Sequence, residues 1–167
     1  MKKLLLIAAF CLVKFLAAQN QMPTAQQIRQ SIAGEIKSFN IPPAAIFKVE
    51  NRVVVNGKDS IPIRIYYPKA GKKLRIIYHV HGGALVAGDL ETHENICRVL
   101  ANNTKSIVVA IDYRKPPEFP YPASINDCEF VLEWIKKMRP LLAAMQKIWC
   151  CWVTVAVVFL RHRCWPN

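Results

Sequence analysis

The pair Gly82-Gly83 stands between His81 and Ala84, directly after the apolar run of residues 74–80. Glycine has no Cβ, so a ligand oxygen can come close to the backbone N–H groups of such a segment. Convergent backbone N–H groups stabilise the oxyanion of a tetrahedral intermediate, often the largest single term in acyl-transfer catalysis. His-Gly-Gly alone is a weak signal, because most Gly-Gly pairs are plain turns. His79 and His81 fall on one face of a strand. With His93 they raise a zinc site as an alternative. No acidic or cysteine ligand is placed to complete one, so no metal is expected. Asp112 ends the next apolar run, where an ion pair with a nearby arginine is its expected role. Ser124 opens a proline-bounded helix and reads as an N-cap, not a nucleophile. A serine nucleophile at a strand end needs a Gly-x-Ser-x-Gly turn, and none occurs in residues 1–167. His162 therefore has no serine to serve.

The elements that would position these residues follow from periodicity. Residues 74–80 form an apolar strand ending at His81. Residues 106–111 are a β-branched run, as expected for a strand buried on both faces. Residues 49–55 and 61–67 read as two strands joined by Asn56-Gly57-Lys58-Asp59, a hairpin signal. In the second strand Ile61, Ile63 and Ile65 make one apolar face. Residues 92–102 read as a helix with Ile96, Val99 and Leu100 as its apolar positions. Residues 124–137 read as another, with Ile125, Cys128, Val131, Leu132 and Ile135 on one face. Residues 23–38 carry a third, capped by Thr24, with Ile28, Ile32 and Ile36 aligned. That helix is placed to cover the mouth of a site at His81. The order hairpin, strand, helix, buried strand, helix predicts an α/β fold. Its sheet is mixed and mostly parallel, with an antiparallel N-terminal hairpin.

Two longer runs carry a family resemblance. The first, His79-Val80-His81-Gly82-Gly83-Ala84-Leu85-Val86-Ala87-Gly88-Asp89-Leu90, closely resembles the oxyanion-hole segment of hormone-sensitive-lipase-like esterases, a family of α/β-hydrolases. The second, Asp112-Tyr113-Arg114-Lys115-Pro116-Pro117-Glu118-Phe119-Pro120-Tyr121-Pro122-Ala123, is similar to the family's next signature. Asn126-Asp127 and Trp134-Ile135 come after it in the family manner. The resemblance spans roughly residues 41–137.

It implies the N-terminal portion of an α/β-hydrolase fold and the chemistry of a serine carboxylic ester hydrolase. The implied partner is a small-molecule ester; no cofactor, no metal and no nucleic acid are implied. Gly83 and Ala84 would supply oxyanion N–H groups, Gly82 would shape the turn, and His81 would hold the loop rather than act as base. Asp112 and Arg114 would brace the loop after their strand. Ala84 departs from the family, which usually has a third glycine there, and Pro116-Pro117 replaces a more usual Leu-Ala-Pro pattern. The family's nucleophile elbow and triad are absent from the sequence, so the chain as given is expected to be inactive. The competing reading is a non-catalytic fragment or a binding module whose tail associates with a membrane.

Length and charge agree with one domain. Lys+Arg number 23 and Asp+Glu 11, a formal charge of +12. The basic residues do not cluster as a nucleic-acid-binding face would require. Lys2 and Lys3, the apolar residues 4–13 and the small residues before Gln19 read as a signal peptide over residues 1–18, hence a secreted or periplasmic protein. Cys97 and Cys128 read as small buried residues, and no disulfide framework is implied.

Residues 138–167 differ from the rest. They contain no Asp or Glu but three of the four tryptophans and three of the six cysteines. The apolar run of residues 148–160 is short for a membrane span. Read in a displaced frame, the codons of Trp149, Cys150, Cys151 and Trp152 are forced to give Val-Leu-Leu-Gly, and the next codons permit Asp-Ser-Gly-Gly-Gly. An out-of-frame elbow is therefore expected, with the shift between about residues 137 and 148.

Overall fold

The computed structural model describes residues 22–71, 74–138 and, as backbone, 144–152. Residues 1–18, expected to be a signal peptide, and the tail beyond Trp152 lie outside the described residues. Strands β1 (Lys48–Asn56) and β2 (Asp59–Tyr67) pair antiparallel from Lys48↔Tyr67 to Asn56↔Asp59. Gly57 takes φ 61° in the two-residue loop between them. A positive φ at the first loop position suits a type II′ hairpin turn. Strands β3 (Leu74–Val80), β4 (Ile107–Ile111) and β5 (Ala144–Trp152) complete a five-stranded sheet in the order β1-β2-β4-β3-β5. β2 is antiparallel to both β1 and β4, while β3 is parallel to β4 and β5. Four of the five strands thus run one way, as expected of a mixed, mostly parallel sheet.

The sheet is covered on both faces. Helix α3 (Ala123–Met138) lays Cys128, Val131, Leu132 and Ile135 over Ile63, Ile65, Ile76, Tyr78, Val109 and Ile111. Helix α2 (Glu94–Thr104) lays Cys97 and Ala101 over Tyr66, Ile77, Val108 and Ala110. All five residues of β4 are buried, which suits the unbroken apolar run Ile-Val-Val-Ala-Ile, β-branched at all but Ala110. Burying one such side chain contributes roughly 1.5–3 kcal/mol.

Two sequence expectations change here. Ile96 and Val99 are exposed, and the buried α2 positions are Cys97 and Ala101. Small side chains let the helix come close to the sheet, so size rather than hydropathy decides the inward face. Ser124 is not an N-cap. It is buried inside α3, whose first amides bond to the Pro122 carbonyl.

Helix α1 (Ala25–Ser38) begins as expected. Thr24 accepts from the Gln27 backbone at 3.2 Å and the Gln27 side chain accepts from the Thr24 backbone at 2.8 Å, a capping box. None of its residues is buried. Its attachment is polar and local, and it falls at the candidate site.

Candidate active site

β3 ends at Val80, and the chain then turns back on itself through Gly88. Gly83 has φ 125°, and its carbonyl accepts from Val86 N (3.1 Å) and Ala87 N (2.9 Å). A Cβ at Gly83 would sit 2.2 Å from the Ala87 oxygen. A Cβ at Gly88, whose φ is 81°, would sit 2.3 Å from the Gly82 oxygen and 2.6 Å from His81 Nδ1. These two positions require glycine for both angle and space. Gly82, expected to shape the turn, is not among the positive-φ glycines. Its carbonyl instead meets His81 Nδ1 at 2.8 Å.

Ala84 and Leu85 occupy the left-handed region, at φ 51° and 65°. The substitution of alanine for a third glycine thus falls where glycine would be unstrained. A left-handed non-glycine residue costs roughly 1–2 kcal/mol, so two in sequence need support from outside. Ala84 is exposed. Among the described residues neither its N–H nor that of Gly83 has a hydrogen-bond partner.

His81 is 4% exposed and acts within the loop. Its ring stacks on Tyr113 with centroids 4.4 Å apart and planes 15° apart, and the Tyr113 hydroxyl donates to the His81 carbonyl at 3.1 Å. Tyr113 thereby clamps the loop to β4, a role its sequence position did not reveal. His81 Nε2 lies 3.8 Å from Asp112, too far for a hydrogen bond. Asp112 pairs with Lys115, not with an arginine as expected. Arg114 takes Asp127 and Asp59 instead. The bracing role implied for Arg114 is realised through the fully buried Asp127 carboxylate of α3.

Nothing in the sequence singles out Arg29, yet it sits at the centre of the site's framework. From α1 its Nε donates to Val86 O (2.6 Å), and a terminal nitrogen donates to Pro116 O (2.9 Å). The guanidinium also grips both oxygens of Glu118 at 2.7 Å. One side chain thus ties α1 to the His81–Gly88 loop and to the loop after β4. The three line a cleft of about 400 Å³ with Asp89, Thr92, Asp112 and Tyr113. Replacing Arg29 by alanine should raise amide hydrogen exchange at Val86 and Ala87 roughly tenfold while leaving Ile107–Ile111 protected, since a hydrogen bond from a charged donor is worth about 1.5–3 kcal/mol. Unchanged exchange at those two amides would show that the turn holds without Arg29.

His79, His81 and His93 do come together, with ring centroids 5.8 Å (His79–His93) and 5.4 Å (His81–His93) apart. Among the described residues, however, no group of three or more His, Cys, Asp or Glu is arranged to hold a metal ion. Neither ring nitrogen of the fully buried His79 has a partner. Burial, followed by the neighbouring His93 and His81, pushes its pKa down to about 4. The folded chain therefore holds His79 neutral, while the unfolded chain protonates it below its ordinary value of 6.5. Stability should fall as pH drops from 6.5 towards 4, by up to about 3 kcal/mol from this group. Urea titrations across that range should show the loss, and His79→Phe should flatten it. An equal pH slope in the variant would assign the effect elsewhere.

Strand order, parallel β3–β4–β5 core and helices on both faces define an α/β-hydrolase fold. A family model described as alpha/beta hydrolase fold matches residues 77–152. Carboxylesterase NlhH of Mycobacterium tuberculosis is 36% identical over 104 residues, 60% of this chain and 33% of the relative. An arylesterase of Saccharolobus solfataricus is 31% identical over 111 residues, 66% of this chain and 36% of its own. An esterase structure from Pyrobaculum calidifontis superposes with TM-score 0.72 at 28% identity, over 84% of this chain and 49% of that one. The resemblance to esterases of the hormone-sensitive-lipase-like type is thus borne out, and the chain spans about a third of the length of the curated relatives it matches.

Proposed function

We propose that the His81–Gly88 turn is the oxyanion cradle of a serine carboxylic ester hydrolase acting on small-molecule esters, and that the 167-residue chain itself does not turn over. The observation that carries this is the turn itself. Gly83 is forced by angle and space, and the Gly83 and Ala84 N–H groups have no partner among the described residues. In such an enzyme serine attacks the acyl carbon, histidine takes and returns the proton, and an acid orients the histidine. The two N–H groups would stabilise the developing oxyanion, and Tyr113, His81 and Arg29 keep them aimed. No Gly-x-Ser-x-Gly occurs in the sequence, so the cradle can polarise a carbonyl without forming an acyl-enzyme. Export through residues 1–18 is part of the same proposal.

A serine-directed short-chain phosphonate tests both halves on the isotope-labelled chain. The expected result is movement of the Gly83 and Ala84 amide resonances with no change in intact mass. Unmoved amides would remove the cradle, and a covalent adduct would remove the inactive reading.

A further inference from the structure

β5 lies parallel beside β3, with His79 opposite Cys151 and Val80 opposite Trp152. β5 therefore ends, at Trp152, at the edge of the sheet where the His81–Gly88 loop begins. Oxyanion donors and nucleophile must flank one carbonyl, each about 3 Å from the reacting atoms. A serine turn on the strand adjacent to β3 would satisfy that geometry. The sequence there is Trp152-Val153-Thr154-Val155-Ala156, with no glycine to make a sharp turn and no serine. Residues 153–167 lie outside the described residues, so they enter by their identities alone.

We propose that the reading frame changes upstream of Trp149 and that the displaced frame encodes the missing nucleophile turn directly after β5. This rests on the ester-hydrolase reading. Each displaced codon takes the third base of one residue and the first two of the next. Trp has the single codon TGG, and Cys has TGT or TGC. The Trp149/Cys150 junction must then read GTG, valine. Cys150/Cys151 and Cys151/Trp152 must each read leucine, and Trp152/Val153 must read GGT, glycine. Further on, Val153/Thr154 permits aspartate, Thr154/Val155 permits serine and Ala156/Val157 permits glycine. Near the end Cys164/Trp165 is forced to leucine and Trp165/Pro166 to alanine.

The forced residues suit the positions the fold gives them. Val-Leu-Leu is the apolar sequence expected of a strand inside a parallel sheet, whereas the frame as read puts Trp-Cys-Cys-Trp there. The forced glycine falls at the end of β5, abreast of Val80, where a sharp turn must start. Leucine and alanine are among the best helix formers, and a strand–turn–helix element requires a helix after its turn. A displaced frame also accounts for the absence of any carboxylate from residues 149–167, beside a core that has a normal share. The displacement equals one base lost, or two gained, between about the codons of residues 137 and 148.

Sequencing the coding DNA decides it. The Thr154 codon is expected to be ACA, the one threonine codon that gives serine across the Thr154/Val155 junction. The Ala156 codon is expected to be GCG, which completes Gly-x-Ser-x-Gly. The displaced frame should also stay open past the Asn167 codon. Any other Thr154 codon, or a stop shortly after the turn, overturns the proposal and leaves the ester-hydrolase reading standing. That reading fails on a separate result: ACA and GCG are present, yet the protein continued in the displaced frame folds and hydrolyses no short-chain ester.

Discussion

Gly83→Ala is expected to destabilise the chain by about 3–5 kcal/mol, or to unfold the loop outright. Two terms add. The φ of 125° lies in a region that side chains rarely adopt, and the new Cβ would overlap the Ala87 oxygen at 2.2 Å and its carbonyl carbon at 2.4 Å. Both neighbours are backbone, so no rotamer change relieves the overlap. Ala87 is fully buried and cannot retreat without opening the core. Gly57→Ala is the control. Gly57 also has a positive φ, but nothing lies within 4 Å of its added Cβ, so only the angular cost of roughly 1–2 kcal/mol applies. Denaturant unfolding of the two variants should separate them by about 1–4 kcal/mol. Equal midpoints would mean that the loop adjusts freely and that its geometry is not imposed by packing.

The second large effect lies at the Arg114–Asp127 pair. Asp127 is fully buried and accepts from the Arg114 backbone N–H at 2.9 Å and from its guanidinium at 2.7 and 3.0 Å. Arg114→Met should cost about 3–5 kcal/mol, because it strands a carboxylate away from water. Arg114→Lys should recover little, since an ammonium cannot reproduce the planar two-point contact. Arg114→Met combined with Asp127→Leu should lose less than Arg114→Met alone, because no uncompensated charge then remains buried. Additive losses in this cycle would show that the two side chains act separately.

The strands and the glycine turn were legible because their causes are local. β4 announces itself by an unbroken apolar, mostly β-branched run, and the hairpin by Asn56-Gly57 with alternating isoleucines. The adjacent glycines of the His81–Ala84 segment marked only a turn; the longer run from His79 to Leu90, through its family resemblance, marked it as a backbone site. What failed depends on long-range geometry. Asp112 and Arg114 are two residues apart, yet α3 brings Asp127 to the arginine and leaves Asp112 to Lys115. The α2 face is set by side-chain size, which hydropathy periodicity does not register. The hold of Arg29 on Val86, fifty-seven residues away, has no sequence signature. Ala84 is visible in the sequence as a departure from the family pattern. The left-handed angle at Leu85 beside it is not, because leucine carries no hint of it.

The proposed oxyanion cradle has no nucleophile in the frame as read. Turnover of a short-chain p-nitrophenyl ester tests it most directly, measured on the purified 167-residue chain beside the same protein continued in the displaced frame. The 167-residue chain should run at the uncatalysed rate, and the continued protein should hydrolyse the ester and lose that activity to a serine-directed phosphonate. Phosphonate-sensitive turnover by the 167-residue chain itself would contradict the account.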